Sequence, residues 1–368
     1  MLNKRLETYI ILIYALLFST NVISQELIKK FYDADKRQLK EAYYCLIRTN
    51  DTIKQGTYTF YYQNGIPYQT GEFVNNKLHG KWKIFYEDSV LKNTISFDQG
   101  LRNGEFKEFY ESGELKVLGN YLNNKRTGEF KEYYKNDTLK SLYFYKDDLL
   151  DSISTNFHEN GKLSVKAFYK NGIQWGLWES YYDSGELNYE GTKNGENFVG
   201  ALYTYYKNGQ LERISNYKNG KLDGNYYAYY DDGGKMIEGF FKENKLEGRF
   251  YNYHRNGILA ETGTYADNKK QGPWKAYYPD AKLYSEGNFK DNKFEGIWKV
   301  YHNNGKLKQI GEYENGKAKG KWTFYHENGK VSESGTYIND LKEGKWKIFD
   351  SNGKLLKTEL YKNNELIE

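Results

Sequence analysis

The chain has 368 residues, with 39 Tyr, 20 Phe and 7 Trp against 2 Met and 3 Pro, and hydrophobic residues make up 38% of it. That apolar fraction lies below the usual globular range and argues against a thick multilayer core. The 54 basic and 49 acidic residues leave a net charge of +5 with the two signs interspersed, so the basic stripe expected of a nucleic-acid binder is missing.

In chain order, the first element is a leader. Lys4 and Arg5 precede an apolar stretch from Tyr9 to Phe18, too short to span a bilayer comfortably. Val22-Ile23-Ser24 then puts Val at −3 and Ser at −1 ahead of Gln25, which suits signal peptidase. Residues 1–24 are expected to be a signal peptide cut after Ser24, which would make the mature chain periplasmic or extracellular. The alternative is an uncleaved N-terminal anchor. No Cys stands near this point to carry a lipid.

Residues 25–55 are expected to form a cap. Phe31 and Tyr43 stand twelve residues apart, a spacing that recurs further on, and a degenerate first unit would protect the edge of a sheet. The single cysteine, Cys45, falls here. It has no partner for an internal disulfide and no dedicated His, so it reads as an inert buried residue.

From Gly56 to the end the sequence is periodic. Glycines recur at Gly56, Gly80, Gly104 and onward to Gly344 on a 24-residue lattice of thirteen units, broken once by Ser152. With the lattice glycine as position 0, position 2 is aromatic in eleven units, position 5 in all thirteen and position 17 in twelve. Position 6 is usually Tyr or His, position 9 is usually Gly, position 11 is Leu in ten units and position 15 is often Gly. Two short strands per unit, over positions 1–6 and 10–17, fit this pattern. The connections are too short for parallel crossovers, so the strands must run antiparallel. The fold class predicted is all-β: an elongated antiparallel β-meander of thirteen 24-residue hairpin repeats, residues 56–368, forming a twisted or coiled single sheet.

The first turn of each unit can be typed. Ser112 and Ser184 at position 8 suit a positive φ poorly, and Pro279-Asp280 fits a type I turn closed by a glycine bulge. That turn pairs position 5 with 11 and position 6 with 10. Simple alternation along the strands then places positions 5, 11, 15 and 17 on one packed face, with rings covering the bare glycine backbone. Positions 2 and 6 fall on the other face. The rings there are either a structural ladder or an exposed surface for recognition, and Trp274, Tyr278, Trp298, His302, Trp322 and His326 are the candidate binding residues.

The unit that starts at Gly320, GKWTFYHENGKVSESGTYINDLKEG, resembles the MORN-variant repeat, as in YwqK-type bacterial antitoxin repeat proteins. The resemblance covers residues 56–368. It implies β-hairpin arrays that contact proteins or membrane lipids, and for the antitoxin members a toxin partner inside the cell. A signal peptide would depart from that last role.

Chemistry is sparsely represented. His158, His254, His302 and His326 all occupy position 6, two strands apart from copy to copy, which is too far to share a metal. There is no G-x-S-x-G, H-E-x-x-H or phosphate-loop motif, and the glycines are spaced by the repeat. No metal, cofactor or catalytic residue is expected. The reading is a non-enzymatic exported scaffold that binds a protein partner; glycan or membrane-surface attachment, or neutralisation of a toxin, are the alternatives. Residues 137–200 break the pattern: Asp137, Tyr143, Ser152, Ser154 and Ala167 stand at lattice positions usually held by other residues. This stretch is either drift or a specialised bend or contact.

Overall fold

A computed structural model describes residues 24–48 and 51–368. The expected leader lies outside the described residues except for Ser24, which opens a strand, Ser24–Phe31. All regular structure among the described residues is β, and each strand pairs antiparallel with its neighbours in sequence. The chain divides into two compact units, residues 1–173 and 174–368. In the first, strands Ser24–Phe31 and Leu39–Arg48 form a hairpin that pairs with Asp51–Tyr61, the opening strand of the repeats. The Tyr32 hydroxyl donates to the Tyr61 carbonyl at 2.7 Å. Cys45 is fully buried there against Tyr43, Tyr58 and Trp82.

The unit around Gly272 shows the local logic. Its strands are Lys269–Tyr277 and Leu283–Lys290. The Tyr278 N–H donates to the Lys282 carbonyl at 2.8 Å and the Ala281 N–H to the Tyr278 carbonyl at 3.0 Å. Position 9, here Ala281, has a φ of 67°, the left-handed conformation that closes a type I turn with a bulge and explains why Gly fills this position elsewhere. Tyr277 pairs with Leu283. The turn and the 5-to-11 pairing are therefore as the sequence predicts.

The expected faces are not. Tyr277 pairs with Leu283, but Ala276 pairs with Ser285, so Tyr284 is an extra residue in the second strand. The same irregularity follows the turn of the other hairpins, as at Phe85 and Tyr325. One inserted residue reverses the facing of everything beyond it. Positions 2, 15 and 17 consequently share a face, and positions 5 and 11 lie on the opposite one. Trp274 sits across from Gly287, and Gly272 across from Phe289.

Positions 2, 15 and 17 build the core, which we term the ring face. Trp82, Trp274, Trp298, Trp322 and Trp346 are all buried, the last completely. A Cβ on Gly263 would overlap the indole of Trp274, and Gly287, Gly311 and Gly335 stand in the same relation to Trp298, Trp322 and Trp346. Position 15 is therefore glycine because the next repeat lays its tryptophan flat on that backbone. Position 17 rings wedge between successive indoles edge-on. Tyr313 and Tyr337 flank Trp322 at 5.0 and 5.7 Å, with interplanar angles of 87° and 85°, the geometry that aligns positive ring edges with negative faces. Two residues before the lattice glycine, Lys270 and Lys342 place ammonium groups 3.9 and 4.1 Å above the rings of Trp274 and Trp346.

Both turn edges are also stitched between repeats. The second turn carries two consecutive positive-φ residues, such as Asp291 and Asn292, a type I′ pair. The side chain of its second residue caps the backbone: Asn292 Oδ1 accepts from the Lys270 N–H at 2.7 Å.

Candidate interaction surface

The structure redistributes the residues selected from sequence. Trp274, Trp298 and Trp322 retain 3, 8 and 3% of their exposure, so they are core and present no ring to solvent. The reason is the bulge described above, which swaps position 5 for position 2 on the packed side. Tyr278, His302 and His326 are half-buried and tie one repeat to the next. The Tyr278 hydroxyl donates to the Tyr301 carbonyl at 2.8 Å. His302 and His326 place Nε2 3.0 Å from the carbonyls of Tyr325 and Phe349. A carbonyl can only accept, so both imidazoles carry hydrogen on Nε2. This accounts for the Tyr/His exchange at position 6: either ring ends in a donor at the same reach. The six selected residues lie along one column of repeats, but as joints between strands. Among the described residues, no cluster of three His, Cys, Asp or Glu side chains could hold a metal ion.

The face opposite the rings carries positions 1, 3, 5, 14 and 16, and its composition changes along the chain. Position 3 is Lys83, Lys107 and Lys131 early on, and Lys275 and Lys299 later. Between them it is Thr155, Glu179 and then Tyr203, Tyr227 and Tyr251. Position 5 on the same strands is Tyr205, Tyr229 and Tyr253, and residues two apart on a strand share a face. Strands Asn197–Tyr205, Lys221–Tyr229 and Lys245–Tyr253 thus set six half-buried tyrosines in two adjacent columns. Ile214 lies between Tyr203 and Tyr227 in the register, and Glu238 between Tyr227 and Tyr251. Phe240, 38% exposed, borders the patch.

Carboxylates bind this surface at its rim. The Tyr205 hydroxyl donates to Glu190 at 3.5 Å. Burial first, then the Glu190 charge, pushes the Tyr205 hydroxyl above the ordinary phenol range; Tyr253 is raised by burial and then by Glu238. These phenols stay neutral and serve as donors and acceptors. No role was assigned to position 3 from the sequence, so the patch was passed over. The signal was nevertheless present, as three tyrosines at 24-residue spacing where lysine is usual.

The chain also resembles known proteins. The family model described as "MORN repeat variant" matches twelve stretches between residues 54 and 363, among them 54–75, 126–147, 270–291 and 342–363. The unit around Gly224 is not among them. No curated protein matches the chain. Among solved structures, a "TcdB2-TccC3 without hypervariable C-terminal region" is similar over 88% of this chain and 19% of its own, at 10% identity and a TM-score of 0.17. The "Photorhabdus luminescens Tc holotoxin pore" is similar over 88% and 22%, at 11% identity and a TM-score of 0.17. The chain thus spans about a fifth of the length of these structures.

Proposed function

We propose that this chain, which belongs to the MORN repeat variant family, is an exported, non-catalytic scaffold that binds a protein partner through its tyrosine face. The observation that carries this reading is the double tyrosine column at Tyr203, Tyr227 and Tyr251 beside Tyr205, Tyr229 and Tyr253. Tyrosine offers a large apolar body with a polar tip and loses little rotamer entropy on contact, which is why it is enriched where proteins meet. The ring face is committed to the fold. The opposite face can therefore change composition without unfolding the array, and a cluster of Tyr in place of Lys is what such freedom would retain for recognition.

The test is capture from the native envelope fraction by the full chain and by a variant carrying Tyr203→Ser, Tyr227→Ser and Tyr251→Ser. A partner held by the first and lost by the second, with both equally folded, supports the reading. Capture that survives the triple substitution removes the tyrosine face from it. Export is checked separately by N-terminal sequencing of the native protein, which should begin at Gln25. Intact Met1 chains in the cytosol would overturn the export component and leave the surface unaffected.

A further inference from the structure

A second surface lies further along the same face, in the repeats that begin at Gly320 and Gly344. Lys321 and Thr323 flank the buried Trp322, and Lys345 and Lys347 flank the buried Trp346, so all four side chains leave on the side opposite the rings. In the register, Thr323 faces Ser334, and Ser334 faces Lys347, which in turn faces Thr358. Lys321 faces Thr336. A groove of about 560 Å³ runs here, with Lys321, Thr323, Lys330, Ser334, Lys347 and Phe349 in its walls.

The charge balance of this stretch differs from that of the earlier repeats. At positions 1 and 3 of the repeats that begin at Gly80, Gly104 and Gly128, Lys81 and Lys107 both reach Glu105, at 3.4 and 2.9 Å, and Lys131 reaches Glu129 at 2.7 Å. Among the described residues, Lys321, Lys345 and Lys347 have no carboxylate partner. Two acids of this stretch have other partners: Glu312 pairs with Lys319 at 3.3 Å, and Glu343 accepts from the Asn363 N–H at 2.9 Å. Where the earlier repeats alternate lysine with glutamate, these alternate it with Thr and Ser.

We propose that this groove binds an acidic polysaccharide. Lys321 and Lys347 in its walls, and Lys345 two residues from Lys347 on the same strand, are ammonium groups without an ion-paired carboxylate and call for an anionic ligand. Hydroxyls between them can both donate and accept, which suits sugar hydroxyls as well as a carboxylate or sulfate. Lys321 and Lys345 occupy the same position in successive units, two strands apart, or roughly 9.6 Å at the usual strand spacing. Tyr325 and Phe349 repeat at the same interval at position 5. A linear chain laid across the strands would meet one ammonium and one ring per repeat, a period of about two sugar units, so that every second uronate of a polyuronate would meet a lysine.

The probe is immobilised polygalacturonate, with neutral dextran as its uncharged counterpart and the full chain in solution. Retention on polygalacturonate should be sensitive to salt and absent on dextran. Lys321→Gln, Lys345→Gln and Lys347→Gln together should weaken it roughly tenfold or more, as loss of charge-assisted contacts implies. The matching Arg variant should retain it. A control triple, Lys81→Gln, Lys107→Gln and Lys131→Gln, removes the same charge and should change little. Equal weakening by both triples would reduce the effect to net charge and overturn the proposal. So would phosphatidylglycerol vesicles or a single-stranded oligonucleotide binding as tightly through the same three lysines.

Discussion

Two stretches of the ring face solve one packing problem in opposite ways. In residues 263–346, each position 2 is tryptophan and each facing position 15 is glycine, with the indole lying on the bare backbone. In residues 139–169 the roles are exchanged. Position 15 is Tyr143, and the next position 2 is Ser154, 5% exposed. Tyr143 turns its hydroxyl to Asn156 Oδ1 at 2.9 Å, and its ring stands 6.4 Å from that of Tyr145. The column of rings is maintained, but this ring comes from the strand before. Each joint between repeats therefore needs one large ring and one small partner, and which strand supplies which is free. What looked like drift in this stretch is, at this joint, a compensated exchange.

The comparison can be broken most forcefully at position 2. Trp322→Ala removes a buried indole and should cost about 3–5 kcal/mol, whereas Ser154→Ala at the same lattice position should be close to neutral. The Ser154 hydroxyl is buried with no hydrogen-bond partner in the structure, so its removal strands nothing. Urea melts of the two variants give the contrast, and equal losses would contradict it. At position 15, Gly311→Ala forces a methyl into the Trp322 ring and should destabilise by about 1–3 kcal/mol, the usual effect of overpacking.

The exchange itself predicts coupling. Tyr143→Gly and Ser154→Trp should each destabilise singly, by leaving a hole and by crowding respectively. Together they restore the arrangement seen at Gly311 and Trp322, and a double-mutant cycle should return an interaction of about 0.5–3 kcal/mol in favour of the pair. Simple additivity would mean that the two sites do not share a ring slot. The smallest effect is expected at Ser152, which adopts a φ of 97° where the other units place glycine, and which opens the short strand Ser152–Phe157 just after Leu149–Leu150. Ser152→Gly should stabilise by up to about 1 kcal/mol, read as a rise in the melting midpoint.

Much of this architecture was legible in the residues. The glycine lattice gave the repeat, and Pro279-Asp280 together with Ser112 and Ser184 gave the turn type, which fixed the pairing of Tyr277 with Leu283. The faces were lost one residue later. The extra residue at position 12 is Tyr68, Lys92, Lys116 or Tyr284 in different units, so no residue type announces the bulge. Its effect is nevertheless to reverse every later side chain. Because the candidate binding residues were chosen by face, Trp274, Trp298 and Trp322 moved into the core with that reversal. The tyrosine surface at 203, 227 and 251 was visible as a periodic substitution, and it acquires meaning only once position 3 is known to share a face with position 5.

The assignment of faces is tested most directly by one pair of melts within residues 174–368. Trp274→Ala and Tyr251→Ala both truncate an aromatic residue on a repeat strand, two strands apart. If positions 2, 15 and 17 form the core, Trp274→Ala should destabilise by about 3–5 kcal/mol while Tyr251→Ala stays within roughly 1 kcal/mol, nearer the range of surface changes. A larger loss at Tyr251 than at Trp274 would place the core on the opposite face and contradict the account.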